Sequence, residues 1–340
     1  MEGRKGRAPA LTRLVVVVAG ALVAALGAWS ALALWIDGPR DRVAAGLLVA
    51  ACVAAIAFSL ARVRPPLRAL AAALVPAALV LVWWLRIPPS NARDWQPDVA
   101  RTPTAEIQDG VVTLSDVRHF AYRSETDFSV RWETRRIELD KVAGLDLFVS
   151  FWGPTLYAHT ILSWDIEGAP PLAASIETRK EKGESYSALR GFFRQYEIVY
   201  VLADERDVVQ LRTGFRGEEV HLYRLTTPPA RARALLLSYL EEANELARKP
   251  AWYNALTLNC TTAIWHNLHA IAPDVGFDWR LLANGYIDEL AYAHGTLDRR
   301  LPLAELRARG NITAQAKRCA GRDDFSSCIR EGVPLPPPRR

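Results

Sequence analysis

Cysteine is scarce, with four in 340 residues, too few for a disulfide scaffold. No repeat with a period of about 20 to 50 residues runs along the chain, which excludes a solenoid or propeller. G-x-S-x-G, the Walker loop, H-E-x-x-H and C-x-x-C are all missing, so none of the usual short catalytic signatures applies. An excess of positive charge is also missing once the charge is located. The formal +5 resolves into +3 over residues 1–13, +3 over 62–68, zero over the loop 37–42 and −1 for everything after 68. The basic character belongs to the flanks of apolar runs rather than to a nucleic-acid face, and nucleic acid is not an expected partner.

Long apolar runs are present, all within the first quarter. Residues 14–36 hold no charge over 23 positions, roughly 34 Å of helix. Residues 43–61 are uncharged over 19 positions, and 69–85 over 17, the last holding Pro76 and ending in Trp83 and Trp84. The first two are long enough for the hydrocarbon core, and the third is helped by its aromatic anchor. The rival reading of the first run is a cleaved signal peptide with Ala31-Leu32-Ala33 as the cleavage site. The run exceeds a normal h-region, however, and two more follow. Lys and Arg before the first run and between the second and third predict a cytoplasmic N-terminus, with everything after residue 86 on the far side. The alanine- and arginine-rich composition is that of a bacterial chain, so the expected location is the inner membrane with a periplasmic domain and the lipid bilayer as partner.

The pattern divides the chain into a membrane anchor (1–86), a proline-rich linker (87–105), a folded domain (106–331) and a proline-rich tail (332–340). Strands are predicted over 145–151, 157–166, 172–178, 197–203, 208–215 and 219–226, from short β-branched or aromatic runs between turn residues. Helices follow, one over 230–248 behind Thr227-Pro228-Pro229 and one from about Asn259 to His269. Strands followed by helices indicate an α+β domain.

In an oxidising compartment Cys319 and Cys328, nine apart in a polar tail, are expected to form a disulfide. Cys52 falls inside the second apolar run as a small hydrophobe. That leaves Cys260, in Asn259-Cys260-Thr261-Thr262 at a helix start, where free N–H groups and the helix dipole favour a thiolate. The competing reading is a buried, inert cysteine. A base is available in His159, inside an apolar strand where an unpaired imidazole is costly. If the hairpin 157–178 turns about Gly168, His159 and Glu177 are each nine residues from the turn and face one another across the ladder. The carboxylate would then fix the imidazole tautomer and leave its other nitrogen to the thiol. An even-numbered loop would part them, and Glu177 would then be an edge charge beside Arg179. His266 and His269 lie at i, i+3 on one helix without an apparent third ligand, so neither metal nor cofactor is expected.

Residues 91–98 (NARDWQPD), 117–122 (VRHFAY), 175–187 (SIETRKEKGESYS), 192–197 (FFRQYE), 252–254 (WYN) and 259–261 (NCT) closely resemble the Lnb N-terminal periplasmic domain family over about residues 91–310. That family is similar to the permuted papain-like cysteine fold and relates to NlpC-type amidases; there the histidine strand precedes the cysteine helix, as His159 precedes Cys260. The resemblance implies Cys260 as nucleophile and His159 as base, with Glu177 carried over less firmly. The family takes its name from a bacterial lipoprotein N-acyltransferase, which looks to carry its membrane helices after the domain; here three apolar runs precede it. The expected chemistry is therefore thiol-dependent acyl transfer or hydrolysis on a lipoprotein or phospholipid. A cell-wall amidase with the same dyad and a non-catalytic interaction domain remain as alternatives. The backbone N–H groups around Cys260 are the expected oxyanion donors. Arg179, Lys180 and Lys182, and Asn259 beside the thiol, are expected to contact the substrate, with a solvated loop as the competing reading of the charges.

Overall fold

The computed structural model describes residues 7–274 and 276–336; the N-terminal basic residues Arg4 and Lys5 and the tail beyond 336 lie outside the described residues. The chain divides into two compact units.

The first comprises residues 1–89 and Ser187–Gln195. It is built on α1 (Arg7–Ile36), α2 (Arg42–Arg62) and α3 (Pro66–Leu85). Each is long and apolar enough to cross a bilayer. Small residues sit at the helix contacts, with Ala33, Ala45, Ala73 and Ala77 buried, while most of the larger apolar side chains face outward, the arrangement of a bundle whose solvent is lipid. Asp41 caps α2, its carboxylate accepting from the Val43 and Ala44 N–H groups. One end of the bundle is stitched by Trp84, whose Nε1 donates to Asp37 at 2.6 Å and whose ring meets Trp29 edge-on.

The second unit comprises Ser90–Tyr186 and Tyr196–Arg340. Its strands are β1 (Thr104–Gln108), β2 (Val111–Arg118), β3 (Ala121–Tyr122), β4 (Phe128–Ser129), β5 (Trp132–Glu138), β6 (Val142–Phe151), β7 (His159–Ile166), β8 (Leu172–Arg179), β9 (Glu197–Ala203) and β10 (Glu219–Arg224). Seven form a sheet in the order β1-β2-β9-β8-β7-β6-β10, with β5 paired to β2 and β3–β4 forming a separate ribbon. The helices are α4 (Glu205–Gln210), α5 (Pro229–Arg248), α6 (Cys260–Ile271), α7 (Ile287–Ala293), α8 (Leu303–Gly310), α9 (Thr313–Cys319) and α10 (Phe325–Cys328). The unit is α+β.

Both faces of the central strands are covered. On one, Leu162, Trp164, Ile176 and Tyr200 pack against Leu236, Tyr239 and Leu240 of α5. On the other, Ile161, Val199 and Val201 pack against Val208, Val209, Ala316 and Phe325. Double coverage explains why β9 is buried at every position and reads as a continuous apolar run rather than an alternating one. Cys319 and Cys328 join in a disulfide within the second core.

Two expectations need correcting. Residues 208–215, read as a strand, form α4 and a π turn, Leu211–Phe215. Asp204 caps α4 through the Arg206 N–H. Asp207, in the first turn where a negative charge suits the dipole, is pinned by Arg118 at 2.7 Å and the Phe120 N–H. These tertiary bonds override the β preference of Val208 and Val209. The stretch 87–105, expected as a proline-rich linker, is tied down from Ser90 onward. Arg179 donates to Asn91, Val99 and Ala100 and lies over Trp95 at 4.5 Å, while Arg93 pairs with buried Glu197 at 2.9 Å.

Candidate active site

The hairpin of β7 and β8 turns about Gly168, pairing Ile161 with Ser175 and Trp164 with Leu172. This is the odd-numbered turn on which the pairing of His159 with Glu177 depends. Continued by two residues, the register sets those two opposite one another on the same face, and His159 Nε2 lies 3.4 Å from Glu177 Oε1. Ser175, two residues before Glu177 and so on its face, stands between them. Its Oγ is 2.6 Å from His159 Nε2 and donates to Glu177 Oε1 at 2.6 Å. With that hydroxyl proton committed to the carboxylate, Ser175 accepts from the imidazole Nε2–H. Nε2 is thereby the protonated nitrogen, which leaves Nδ1 as the nitrogen able to accept a proton from Cys260.

Glu177 is held from behind. Arg212, at the π turn, donates to it at 2.9 Å and to Glu218 at 3.0 Å, and Ser150 donates to Glu218. Burial opposes the charge on Glu177, but His159 and Arg212 outweigh it and hold the carboxyl well below the usual range.

Cys260 opens α6. Asn259 is the N-cap, its Oδ1 accepting from the Thr261 and Thr262 N–H groups while Thr262 Oγ1 accepts from the Asn259 N–H, a full capping box; such a cap stabilises a helix by about 1 kcal/mol. Asn259, expected to contact substrate, thus has its Oδ1 committed to the helix. The oxyanion expectation narrows with it. The N–H groups of Thr261 and Thr262 are taken, and Cys260's own N–H is the first-turn donor without a partner among the described residues.

Asn284 completes the cluster and has no signal in the sequence. Its Oδ1 accepts from the Ala158 N–H at 2.8 Å, and its Nδ2 donates to Thr261 Oγ1 at 2.9 Å and toward Cys260 Sγ at 3.6 Å. One side chain thereby ties the residue before His159 to the first turn of α6. The turn that carries it closes on the 155–157 loop, where the Gly285 N–H donates to the Leu156 carbonyl at 3.1 Å and a Cβ would collide with the Thr155 carbonyl oxygen.

Burial pushes the Cys260 thiol up, but the hydrogen bond and charge of His159, with help from Thr261, bring it below its ordinary value. Burial and Arg212 push His159 down, and Glu177 with the hydrogen bond to Cys260 raises it above its ordinary value. A lowered thiol beside a raised imidazole brings the two titrations toward one another, the direction that favours a thiolate–imidazolium pair. Asn284→Asp should raise the thiol pKa by about one unit through like-charge repulsion. The measurement is the pH at which Cys260 alkylation reaches half its maximal rate; an unmoved midpoint would remove Asn284 from the site's electrostatics.

The other expected site residues lie as follows. Arg179 is buried with all three guanidinium nitrogens bonded to 91–100, so its donors are spent on the fold. Lys180 is half-buried, and Lys182 pairs with Asp94 at 2.7 Å. The rings of His266 and His269 lie against Trp265. Among the described residues no group of three or more His, Cys, Asp or Glu is placed to hold a metal ion.

The loops that lead into His159 and Cys260 carry exposed apolar side chains. Trp152, Leu156, Tyr157 and Leu256 are each 40–56% accessible. Tyr186 is about half exposed, and Tyr253 packs in the same core cluster as Cys260.

Residues 128–285 match the family described as the Lnb N-terminal periplasmic domain. The match contains His159, Ser175, Glu177, Arg212, Cys260 and Asn284. No curated protein and no solved structure matches the chain. The region that carries His159 and Cys260 is therefore similar to the Lnb N-terminal periplasmic domain family, within an inner-membrane protein whose first 85 residues include three helices fit to span the bilayer.

Proposed function

We propose that this protein is a membrane-anchored cysteine acyltransferase or hydrolase, with its N-terminus cytoplasmic and the Cys260 domain working at the periplasmic face of the inner membrane. The observation that carries the reading is the His159, Ser175 and Glu177 chain set by the β7–β8 register, with the Cys260 thiol at the start of α6 lowered by His159. His159 Nδ1 takes the thiol proton, and Sγ attacks the carbonyl carbon of an ester. The tetrahedral oxyanion is met by the Cys260 N–H, with Asn284 Nδ2 the nearest side-chain amide donor. Collapse breaks the C–O bond, the leaving alcohol takes the proton from His159, and the acyl group stays on sulfur as a thioester. An amine or water, deprotonated by His159, then attacks the thioester and releases the thiol.

A lipid acyl donor is favoured over a cell-wall peptide by the apolar rim of Trp152, Leu156, Tyr157 and Leu256; a peptidoglycan substrate calls for a polar rim. The reading is tested by incubating the full chain in vesicles with phospholipid, quenching in acid and analysing the Cys260 peptide by mass spectrometry. An acyl mass on Cys260, released by hydroxylamine and absent from Cys260→Ala, is the expected result. No adduct from either a phospholipid or a short-chain ester, with Cys260 reactive to alkylation, would contradict it.

A further inference from the structure

The nine residues Ser187–Gln195 interrupt the sheet unit between β8 and β9, yet they group with the three apolar helices. The excursion opens at Tyr186 and closes at Tyr196, whose rings stack at 6.2 Å. Within the helical unit it is firmly seated. Phe193 is 4% exposed and clusters with Ala33, Leu34, Cys52 and Val80. Arg194 lies over Trp84 at 4.5 Å, donates from Nη1 to the Ile87 carbonyl at 2.6 Å, and gives its backbone N–H to Asp37 at 3.1 Å. At the tip, the 3-10 turn Arg190–Phe192 leaves Leu189 53% and Phe192 41% exposed. Two exposed apolar side chains, next to a phenylalanine already packed among membrane helices, continue the surface those helices turn to lipid. A cation, Arg190, stands between them, where a phosphate layer would meet a side chain with a long apolar stem.

We propose that Ser187–Gln195 is a lipid-inserting loop, Leu189 and Phe192 entering the leaflet at the Asp37 end of the bundle.

The test uses the full chain with Cys52→Ala and Cys260→Ala, carrying one added cysteine labelled with the fluorophore NBD, in phosphatidylethanolamine–phosphatidylglycerol vesicles containing a lipid with a nitroxide high on its acyl chain. Probes at Leu189→Cys and Phe192→Cys should be quenched at least about threefold more than one at Val130→Cys, an exposed position of the sheet unit. Equal quenching would overturn the insertion.

Discussion

His159→Ala should slow formation of the Cys260 thioester about a thousandfold, measured by rapid acid quench and mass spectrometry of the Cys260 peptide. Two effects combine. The general base is lost, and so is the cation that offsets burial of the thiolate, which leaves the sulfur with burial pushing its pKa up. Loss of a base from such a unit costs on the order of a thousandfold or more. Glu177→Gln should cost less, about ten- to a hundredfold, because Glu177 acts through His159 and is a positioning residue. Glutamine still accepts from Ser175 and Arg212 but carries no charge to sustain the imidazolium. An equal loss in both variants would point to collapse of the local structure, which unchanged thermal unfolding would exclude.

The second large effect is on stability. Arg330→Met should destabilise the folded domain by about 3–5 kcal/mol, the usual cost of removing one partner from a buried charge cluster. Arg330 pairs with Glu205 at 2.6 Å and Asp146 at 2.7 Å, and both carboxylates are almost wholly buried. Asp146 retains Arg224 at 2.6 Å, whereas Glu205 keeps no cation, only the hydroxyls of Ser163 and Ser326 among the described residues. The two acids differ in direction: burial pushes Asp146 up, while Arg330 holds Glu205 down against its own burial, which makes Glu205 the firmer anion of the pair. Its stabilising contribution is present above the unfolded carboxyl value of about 4.3 and is lost as pH falls through its lower folded value. In the variant Glu205 has no guanidinium, so its deficit should shrink on acidification, and Glu205→Gln added to Arg330→Met should recover part of the loss. Urea unfolding followed by circular dichroism checks both. A deficit that stays constant with pH would mean that Arg330 acts through packing alone.

What could be read from the sequence follows from locality. The apolar runs became α1 to α3 because an uncharged stretch of that length has one low-energy fate beside a membrane. The β7–β8 register was legible from the place of Gly168, because side chains alternate with a period of two and His159 and Glu177 are equidistant from the turn. The N-cap at Asn259 was legible from its neighbours. Ser175 was within reach of the same reasoning, being two residues from Glu177 on one strand face. Arg212 was not, because its segment has β-forming residues and becomes a helix and π turn only through the tertiary bonds of Asp207. Asn284 could not be found either. It lies in an irregular turn 24 residues after Cys260, and its role exists only once Gly285 lets that turn close on Leu156. Arg179 looked like a substrate cation because it follows Glu177 in a charged run; its strand position turns it inward to clamp residues 91–100.

The central claim, that Cys260 is a thiolate sustained by His159, is met most directly by its alkylation rate with iodoacetamide between pH 5 and 9, in vesicles, for the unaltered chain and for His159→Ala. The thiol value is lowered and the imidazole value raised, both in the direction that favours the ion pair, so reactivity should persist below about 8.5, where a free thiol titrates. At pH 6.5 an ordinary thiol is about 1% ionised, and His159→Ala should react at least about tenfold more slowly than the unaltered chain, the two rates converging above about pH 9. A single midpoint at or above about 8.5 in both proteins would contradict the account and leave Cys260 a buried cysteine of the α6 start.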